Sequence, residues 1–572
     1  MSRRRKWLIA IAGLAIVVAF VALRGPRIPD GSYLVVELAG QYAEGARPGL
    51  IGRLLGERRS LVSLLGNLEK AAYDRRLSGI IVRVGDLETG WAQAAEIRDR
   101  LRDARVRGKR VLALLRGDHL GGNLEYYVAS AAEEVHVSRS STLMLNGLSA
   151  NFMFLGGVWE KIDVALEVER RGEYKTAADT LAGRTMSAAH REMANSILDS
   201  VNAEFTAALA TGRALPAGEI EAIINASPAS PEALIEAGLA DGLSSMDELL
   251  SGLRTGGRPA PTVTETTYDR VSRKQVGLGG GGKIAVIHID GTIVSGPGRR
   301  GPGPGMSVGS GPTALLLEAT AADPSTAAIV LRIDSPGGSA QASDELWTVI
   351  RTAAIEKPVV ASLGDVAASG GYYLASAADL VVAEPATLTG SIGVVLFKPN
   401  IAGLLGRLGI GSETLGRGRY SRIMDVTKGL DRAERSLLST QMERVYELFL
   451  DRVAEGRSMT VEEVGRLARG RVWTGRQALE IGLVDRLGGL QTAVQAAARR
   501  AGLDDPGQLE VEHLPHPAGP LAELLAMRDQ TYEVPVVRLP ATVSRMLGSA
   551  LGLAAVLEPG ILALAATVPV IN

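Results

Sequence analysis

The chain has 572 residues, more than one ordinary hydrophobic core serves, so two or more domains are expected. Its 62 basic and 63 acidic side chains leave a formal net charge of −1, which excludes a global electrostatic attraction to nucleic acid or to an anionic surface. The absence of cysteine excludes thiol nucleophiles, disulfides and thiolate-bound metals.

The N-terminus carries a membrane-insertion signal. A basic segment, residues 1–6, precedes the uncharged residues 7–23, and Arg24 ends the apolar run. A cleaved signal peptide would have an apolar stretch of about 7–15 residues and an Ala-x-Ala-like site, so we favour an uncleaved transmembrane anchor at 7–23. The denser positive charge before the span places the N-terminus in the cytoplasm and the remaining domains across the bilayer. Cleavage, the alternative, leaves those domains in the same compartment.

The chain is an internal duplication. "YYVASAAEEV" (126–135) resembles "YYLASAADLV" (372–381), and "RGEYKTAAD" (171–179) resembles "RGRYSRIMD" (417–425), both at an offset of 246 residues. The predicted organisation is a first repeat (31–255), a Gly-rich linker (256–282), a second repeat (283–500) and an apolar C-terminal tail (501–572).

Strand and helix signals alternate in each repeat. In the second repeat, β-branched runs predict strands at 284–289, 328–333, 359–362 and 380–383. Ala- and Leu-rich segments predict helices at 314–321, 342–354 and 372–378. This alternation predicts an α/β fold with parallel sheets and helical crossovers. A long amphipathic helix at 432–455 is expected to pack between repeats or subunits.

Two Gly-rich runs flank strands. Residues 277–283 spell G-x-x-x-x-G-K, but Ile284 stands where a phosphate loop needs Ser or Thr, and the glycines precede a strand, so phosphate binding is rejected. Residues 296–311 follow a strand and predict either a disordered surface loop or a mobile flap over a substrate groove.

One constellation of small residues points to acyl-transfer chemistry. In "IDSPGGSA" (333–340) paired glycines allow close backbone approach to a ligand. About 30 residues later, "GDVAASGGYY" (364–373) places Ser369 before a helix, so Gly338 and Gly370 are candidate oxyanion donors. Taken alone, the spacing favours the interpretation of Ser369 as a plain helix N-cap.

The proton acceptor is identified by comparing the repeats. None of the six histidines lies in a hydrolase-like motif. At the 246-residue offset Ser369 corresponds to Asn123, whereas Lys175 corresponds to Ser421. The first repeat therefore has the lysine without the serine, and the second has the serine without the lysine. This pattern is expected if an ancestral homo-oligomer paired a serine of one subunit with a lysine of its neighbour, and each repeat kept only one of the two residues after fusion. A solvated surface lysine is the alternative for Lys175.

These motifs resemble the signal peptide peptidase A (protease IV) family in its long, duplicated form, part of serine peptidase family S49 in the Clp protease/crotonase superfamily. The matching pieces span roughly residues 30 to 500 and are "GEYKTAAD", "DSPGGSA", "GDVAASGGYYLASAAD", "TLTGSIGV" and "GRVWTGRQALEIGLVDRLG".

The resemblance implies a membrane-anchored serine endopeptidase with a Ser/Lys dyad. Ser369 would be the nucleophile, Lys175 the general base, and Ser391 the residue that orients the lysine amine. It also implies tandem Clp protease/crotonase-like domains, a bowl-shaped homotetramer at the extracytoplasmic face of the bacterial inner membrane, and signal peptides or similar apolar peptides as substrates. No cofactor, metal or nucleic acid is expected. A lysine base must be neutral, so its pKa must fall from about 10.4 towards ~7, which burial can achieve.

Two other functions are compatible with parts of the pattern. A crotonase-like acyl-CoA enzyme also uses paired-glycine oxyanion sites, but it leaves the anchor and the reciprocal Ser/Lys retention unexplained. A catalytically retired envelope scaffold would not need the intact serine, lysine and glycine pair.

The tail departs from the family pattern. A second membrane span is disfavoured by Pro559 and Pro569, so we expect an amphipathic helix at about 541–557 and a final strand packed on the body. "LALAA" (562–566) resembles signal-peptide sequence, and we hypothesise that it enters the active-site groove.

Overall fold

The computed structural model describes residues 26–45, 59–117, 121–299, 307–503, 505–516, 562–564 and 570–571. The predicted anchor (7–23) and the predicted helix at 541–557 lie outside these residues. Among the described residues, no helix has the length and apolarity needed to cross a membrane.

The first repeat alternates strands and helices along the chain. Its strands are β1 (Ser32–Gly40), β2 (Tyr42–Ala43), β3 (Arg59–Ser60), β4 (Leu77–Leu87), β5 (Arg110–Leu115), β6 (Glu134–Val137), β7 (Ala150–Asn151), β8 (Ala165–Arg171), β9 (Gly242–Leu243), β10 (Arg254–Thr255), β11 (Arg258–Pro259) and β12 (Thr262–Thr264). Its helices are α1 (Leu61–Tyr73), α2 (Trp91–Val106), α3 (Asn123–Ala129), α4 (Gly156–Lys161), α5 (Ala177–Ala182), α6 (Ala188–Arg213), α7 (Ala217–Ala226), α8 (Pro231–Glu236), α9 (Met246–Gly252) and α10 (Glu265–Tyr268), followed by a 3-10 turn (Arg273–Val276).

The second repeat and the tail follow the same alternation. Their strands are β13 (Lys283–Asp290), β14 (Thr292–Val294), β15 (Gly298–Arg299), β16 (Ser307–Gly309), β17 (Thr326–Ser335), β18 (Gly337–Ser339), β19 (Val359–Ala368), β20 (Leu380–Ala383), β21 (Leu388–Gly390), β22 (Val394–Asn400), β23 (Val472–Thr474), β24 (Arg486–Leu487), β25 (Glu510–Leu514), β26 (Leu562–Leu564) and β27 (Val570–Ile571). Their helices are α11 (Ser310–Ala322), α12 (Ala340–Glu356), α13 (Gly370–Ala375), α14 (Ala402–Arg407), α15 (Arg432–Arg457), α16 (Val461–Leu467), α17 (Gly475–Glu480) and α18 (Leu490–Arg500), with a second 3-10 turn (Pro506–Gln508).

Each repeat is built on its own mainly parallel sheet. The first sheet has the order β12-β1-β4-β5-β6-β9, and the second has the order β23-β21-β19-β17-β13-β25, with β20 pairing β19 and β24 pairing β20. The central strands are almost continuously apolar, since helices cover both faces, and Ile80, Val82, Val330 and Leu331 are fully buried. The predicted α/β fold with parallel sheets is confirmed.

A third sheet joins the two repeats. Its order is β15-β16-β14-β18-β26-β22-β8, so β8 of the first repeat pairs antiparallel with β22 of the second. The ladder runs over seven residue pairs, from Val394 opposite Arg171 to Asn400 opposite Ala165. Helix α15 lies across this strand pair, where Arg171 donates a hydrogen bond of 2.9 Å to the Ser439 carbonyl. The helix predicted at 432–455 therefore packs between the repeats.

The segment predicted as a linker (256–282) contains ordered structure. Its strand β12 extends the first sheet by pairing with β1, and α10 follows directly. Val263, Tyr268 and Val271 account for this, because these three apolar side chains are buried against the first repeat's core. Only the residues around them have the exposed, polar and Gly-rich character expected of a linker.

Candidate active site

Ser369 occupies a strained turn between β19 and α13. Its φ of 55° and ψ of −114° are unfavourable for a residue with a Cβ, as at the nucleophile of a sharp strand-to-helix elbow. The turn is held by the Ser369 N–H, which donates to the Gly390 carbonyl at 2.8 Å, and by the Tyr373 N–H, which donates to the Ser369 carbonyl. The Oγ makes no capping hydrogen bond to the helix, so the simple N-cap interpretation is wrong.

Lys175 reaches Ser369 from the other repeat. It follows β8, whose pairing with β22 carries the chain into the second repeat. Its Nζ lies 2.6 Å from Ser369 Oγ, 2.8 Å from the Ser391 carbonyl oxygen and 3.1 Å from Ser391 Oγ. All three side chains are completely buried. The structure thus brings together three residues predicted from sequence and excludes the surface-lysine alternative.

The turn that carries Lys175 is fixed by backbone contacts with the second repeat. The Tyr174 N–H donates to the Arg469 carbonyl at 2.9 Å, and the Gly470 N–H donates to the Ile392 carbonyl at 2.8 Å. A Cβ on Gly470 would lie 2.5 Å from the Lys175 nitrogen, so only glycine fits there. Sequence analysis missed this role of Gly470, although the residue opens the "GRVW" motif.

Burial alone changes the acid–base character of Lys175. Removal from water disfavours the ammonium form and lowers the pKa of Lys175 well below its ordinary value, with no compensating carboxylate beside it. A neutral amine at this position carries a lone pair and can accept a proton. The site therefore contains a hydroxyl in direct contact with a base.

The paired glycines bring two backbone segments together beside Ser369. Gly338 has a φ of 157°, and a Cβ there would lie 2.0 Å from the Ile293 carbonyl oxygen. A Cβ on Gly370 would lie 3.2 Å from the Gly338 nitrogen and 2.7 Å from Ser343 Oγ. The backbone amides of Gly338 and Gly370 are therefore close neighbours, as a two-donor oxyanion site requires. Ser335, which sequence analysis did not single out, accepts a hydrogen bond of 3.2 Å from the Gly337 N–H through its Oγ and steadies this turn.

A strand from the C-terminal tail lies between the strands that flank the site. β26 pairs antiparallel with β18, with Leu564 opposite Gly337, Ala563 opposite Gly338 and Leu562 opposite Ser339. On its other side, Leu562 pairs with Val395 of β22. The predicted final strand is thus packed on the body, and part of the "LALAA" segment lies alongside the glycine pair.

The corresponding place in the first repeat is closed by its own side chain. Asn123 begins α3 and donates hydrogen bonds of 3.0 Å to Asn146 Oδ1 and to the Gly147 carbonyl. Asn123 is buried, and both of its acceptors belong to the first repeat itself. Ser421, the counterpart of Lys175, is exposed.

The described histidines are engaged elsewhere. His288 of β13 lies 3.0 Å from His513 of the neighbouring strand β25, measured between His288 Nε2 and His513 Nδ1. Among the described residues, no cluster of three or more His, Asp or Glu side chains has a geometry that would hold a metal ion.

Comparisons with known proteins show which family the chain belongs to. The model of peptidase family S49 matches twice, at residues 103–257 and 351–504. Serine protease SPPA, chloroplastic, from Arabidopsis thaliana is 34% identical over 534 residues, which cover 92% of this chain and 77% of that protein. The chain belongs to peptidase family S49. It is a duplicated serine peptidase.

One further relative and one solved structure are similar to the chain. Protease 4 of Salmonella typhi is 31% identical to this S49 peptidase over 502 residues, which cover 84% of this chain and 79% of that protein. The solved structure of a ClpP1 mutant from Listeria monocytogenes covers 36% of this chain and 94% of its own, at 16% identity and a TM-score of 0.24. A structural similarity this low carries no argument.

Proposed function

We propose that this S49 peptidase is a membrane-anchored endopeptidase that hydrolyses signal peptides and similar apolar peptides with a Ser369/Lys175 dyad. The observation that carries the proposal is the contact of 2.6 Å between Lys175 Nζ and Ser369 Oγ in a completely buried environment. A buried lysine without a carboxylate partner is costly to a fold, which favours a functional reason for its position.

The hydrogen bonds of the amine define its role. A neutral amine donates two protons, and the Ser391 carbonyl and Ser391 Oγ are its two acceptors at 2.8 and 3.1 Å. The remaining lone pair is directed at Ser369 Oγ. In this arrangement Ser391 orients the amine so that Lys175 accepts the proton of Ser369.

Catalysis then proceeds by acyl transfer. Ser369 Oγ attacks the scissile carbonyl carbon while its proton moves to Lys175, and the N–H groups of Gly338 and Gly370 stabilise the oxyanion. The resulting ammonium of Lys175 returns the proton to the leaving amine as the C–N bond breaks. Lys175 next takes a proton from the water that attacks the acyl-enzyme, and returns it to Ser369 Oγ as the ester C–O bond breaks and the second product leaves.

The proposed substrate is an extended apolar peptide. The position of β26 between β18 and β22 supports this, because an added strand there gains backbone hydrogen bonds on both sides and passes the glycine pair. Its sequence, Leu-Ala-Leu, has the small and apolar character of a signal peptide.

The proposed location is the extracytoplasmic face of the bacterial inner membrane. The uncharged residues 7–23 behind a basic N-terminal segment support a single-pass anchor with the peptidase repeats outside the cytoplasm.

The proposed assembly is a closed ring, a homotetramer by resemblance to the family. In the first repeat, β8 pairs with β22 of the second repeat, and Lys175 is buried against Ser369 and Ser391 of the second repeat. The equivalent segment of the second repeat faces outward and exposes Leu408, Ile410 and Leu415, of which Leu415 is 91% exposed. A head-to-tail contact with the first repeat of a neighbouring copy would cover these side chains.

One assay tests the proposed dyad. Cleavage of a synthetic apolar signal-like peptide is measured for the wild type, Ser369→Ala and Lys175→Ala. Both variants should lose nearly all activity, whereas two controls should retain it: Ser376→Ala, which removes another buried serine hydroxyl, and Lys274→Ala, which removes an exposed lysine. Undiminished cleavage by either dyad variant would overturn the assignment.

A further inference from the structure

Asp365 connects the strand that carries the nucleophile to the first repeat. It lies on β19, four residues before Ser369. Its Oδ1 accepts hydrogen bonds of 2.9 Å from the Ala92 N–H and 3.0 Å from the Gln93 N–H. Both amides belong to the first turn of α2, where the unpaired N–H groups and the helix dipole favour an acceptor.

The helix end that receives Asp365 is shaped for it. Gly90 precedes α2, and a Cβ there would lie 2.2 Å from the Asp365 carboxyl carbon. The N-cap residue itself, Gly90, has no side chain that could cap this helix. The stretch "GDLETG" (85–90) stands where the second repeat has its glycine pair, so the element that lost oxyanion chemistry in the first repeat now receives a carboxylate from the second.

A second bridge lies next to Asp365. Arg332 on β17, the strand beside β19, contacts Glu44 through Nε at 2.8 Å and Glu96 through Nη2 at 2.6 Å. It also donates a hydrogen bond of 3.1 Å to Ser362 Oγ on β19. Arg332, Glu44 and Glu96 are buried, so the two central strands of the second sheet are held against α2 and the segment after β2.

The two residues of the dyad arrive from opposite sides of this junction. Ser369 is at the end of β19, whereas Lys175 is carried by the first repeat along β8. The distance between Oγ and Nζ therefore depends on how the two repeats are fixed against each other. Within the described residues, Asp365 is the side chain nearest in sequence to Ser369 that hydrogen-bonds across the repeats.

We propose that Asp365 is a positioning residue, which holds β19 on the N-terminus of α2 and thereby sets Ser369 at the reacting distance from Lys175. This inference rests on the proposed dyad. The essential atom of Asp365 is Oδ1, since it accepts both hydrogen bonds from α2.

The electrostatic surroundings of Asp365 agree with a role that depends on its accepting hydrogen bonds more than on its negative charge. Burial, followed by the neighbouring Glu44 carboxylate, raises the pKa of Asp365 to about 7, against the opposing effects of the Gln93 and Ala92 amides and of Arg332. Asp334, whose own pKa is raised by burial and by these carboxylates, also faces it from β17. A protonated carboxyl keeps its carbonyl oxygen as an acceptor, so the contact survives neutralisation.

Two substitutions at Asp365 test whether its hydrogen-bond acceptor oxygen is required. Asp365→Asn keeps an acceptor oxygen and should retain activity within about threefold, whereas Asp365→Ala should lower kcat by about tenfold to hundredfold with little change in KM. A looser junction also hydrates Lys175, so the acidic limb of the kcat profile should move to higher pH in Asp365→Ala. Asp379→Ala is the matched control, because Asp379 accepts the Val359 N–H at 2.9 Å within the second repeat alone.

A second route keeps the test decisive if Asp365→Ala fails to fold. Gly90→Ala changes the first repeat only, and its new Cβ would collide with the Asp365 carboxylate of the second repeat. This variant should reproduce the lower kcat and the shifted acidic limb of the pH profile. Equal impairment of Asp365→Asn and Asp365→Ala, or a wild-type kcat and pH profile in Asp365→Ala, would overturn the inference. Either result is distinguishable from failure of the dyad, which would appear as activity in Ser369→Ala or Lys175→Ala.

Discussion

Lys175 and Ser369 are 194 residues apart in sequence, yet their side chains meet at 2.6 Å. The cause is β8, a strand of the first repeat that pairs over its whole length with β22 of the second. One repeat contributes the amine and the other contributes the hydroxyl, the glycine pair and the acceptors for the amine. Neither repeat has both members of the pair, so a peptidase activity that uses the proposed dyad requires both repeats.

The pH dependence of activity should report Lys175. Only the neutral amine accepts the Ser369 proton, so kcat should rise with pH as Lys175 deprotonates and then level off. Burial lowers the pKa of Lys175, so the midpoint of this limb should lie well below the ordinary lysine value of about 10.4. Steady-state kinetics across pH give the midpoint, with circular dichroism as the control for unfolding. A rate that still rises as pH passes ordinary lysine values would contradict the prediction.

Ser391→Ala should weaken the base without removing it. The variant loses the Oγ acceptor at 3.1 Å but keeps the backbone carbonyl at 2.8 Å. Loss of one hydrogen bond of about 1 kcal/mol predicts a fall in kcat of about fivefold with little change in KM. Ser376→Ala, which removes a buried hydroxyl bonded to the Tyr373 carbonyl, should leave kcat unchanged. An unchanged kcat in Ser391→Ala would contradict the proposal that the Ser391 hydroxyl orients the Lys175 amine.

Gly338→Ala should abolish activity by displacing the oxyanion donors. The new Cβ would lie 2.0 Å from the Ile293 carbonyl oxygen, and the φ of 157° disfavours any side chain. The backbone must move, and misplaced donors cost about 10²–10³ in kcat. Gly218→Ala, with no neighbouring atom within 4 Å, is the control and should leave kcat at the wild-type value. Near-normal kcat in Gly338→Ala would exclude this amide from catalysis.

Removal of the tail should make the groove more accessible. Deleting residues 560–572 removes β26 from its place beside β18, so the KM for a short apolar peptide should fall, by about twofold if the strand occupies half the molecules. Ala563→Pro keeps the length but disrupts the strand pairing and should act in the same direction. If both variants keep the wild-type KM, and the truncation also leaves assembly unchanged, the tail does not compete for the groove.

Local sequence pattern predicted the architecture of the second repeat well. The strand predicted at 380–383 matches β20, and those at 284–289 and 328–333 extend by one or two residues at each end. Buried parallel strands are continuous apolar runs, and their signal is visible in a single sequence. Strand β8 was not predicted, because its charged residues alternate without an apolar run, and its partner lies in the other repeat.

The site residues were predictable from sequence where corresponding positions of the two repeats carry different residues. The motif "GDVAASGGYY" indicated Ser369, the comparison of Asn123 with Ser369 and of Lys175 with Ser421 indicated the lysine, and the resemblance to the family implied their roles. Gly470, Ser335 and Asp365 had no such signal. Ser335 acts through the Gly337 amide two residues away, whereas Gly470 and Asp365 each act through a backbone atom of a distant segment. Contacts of this kind depend on how the repeats dock, which sequence periodicity does not encode.

The most direct measurement is complementation between inactive chains. Ser369→Ala and Lys175→Ala are co-expressed with different tags, and assemblies containing both chains are purified and assayed on an apolar peptide. If each dyad forms within one chain, the mixed assemblies should be as inactive as either variant alone, while wild type purified in the same way is active. Restored cleavage in the mixed assemblies would contradict an intrachain dyad, and activity in either single variant would contradict the dyad itself.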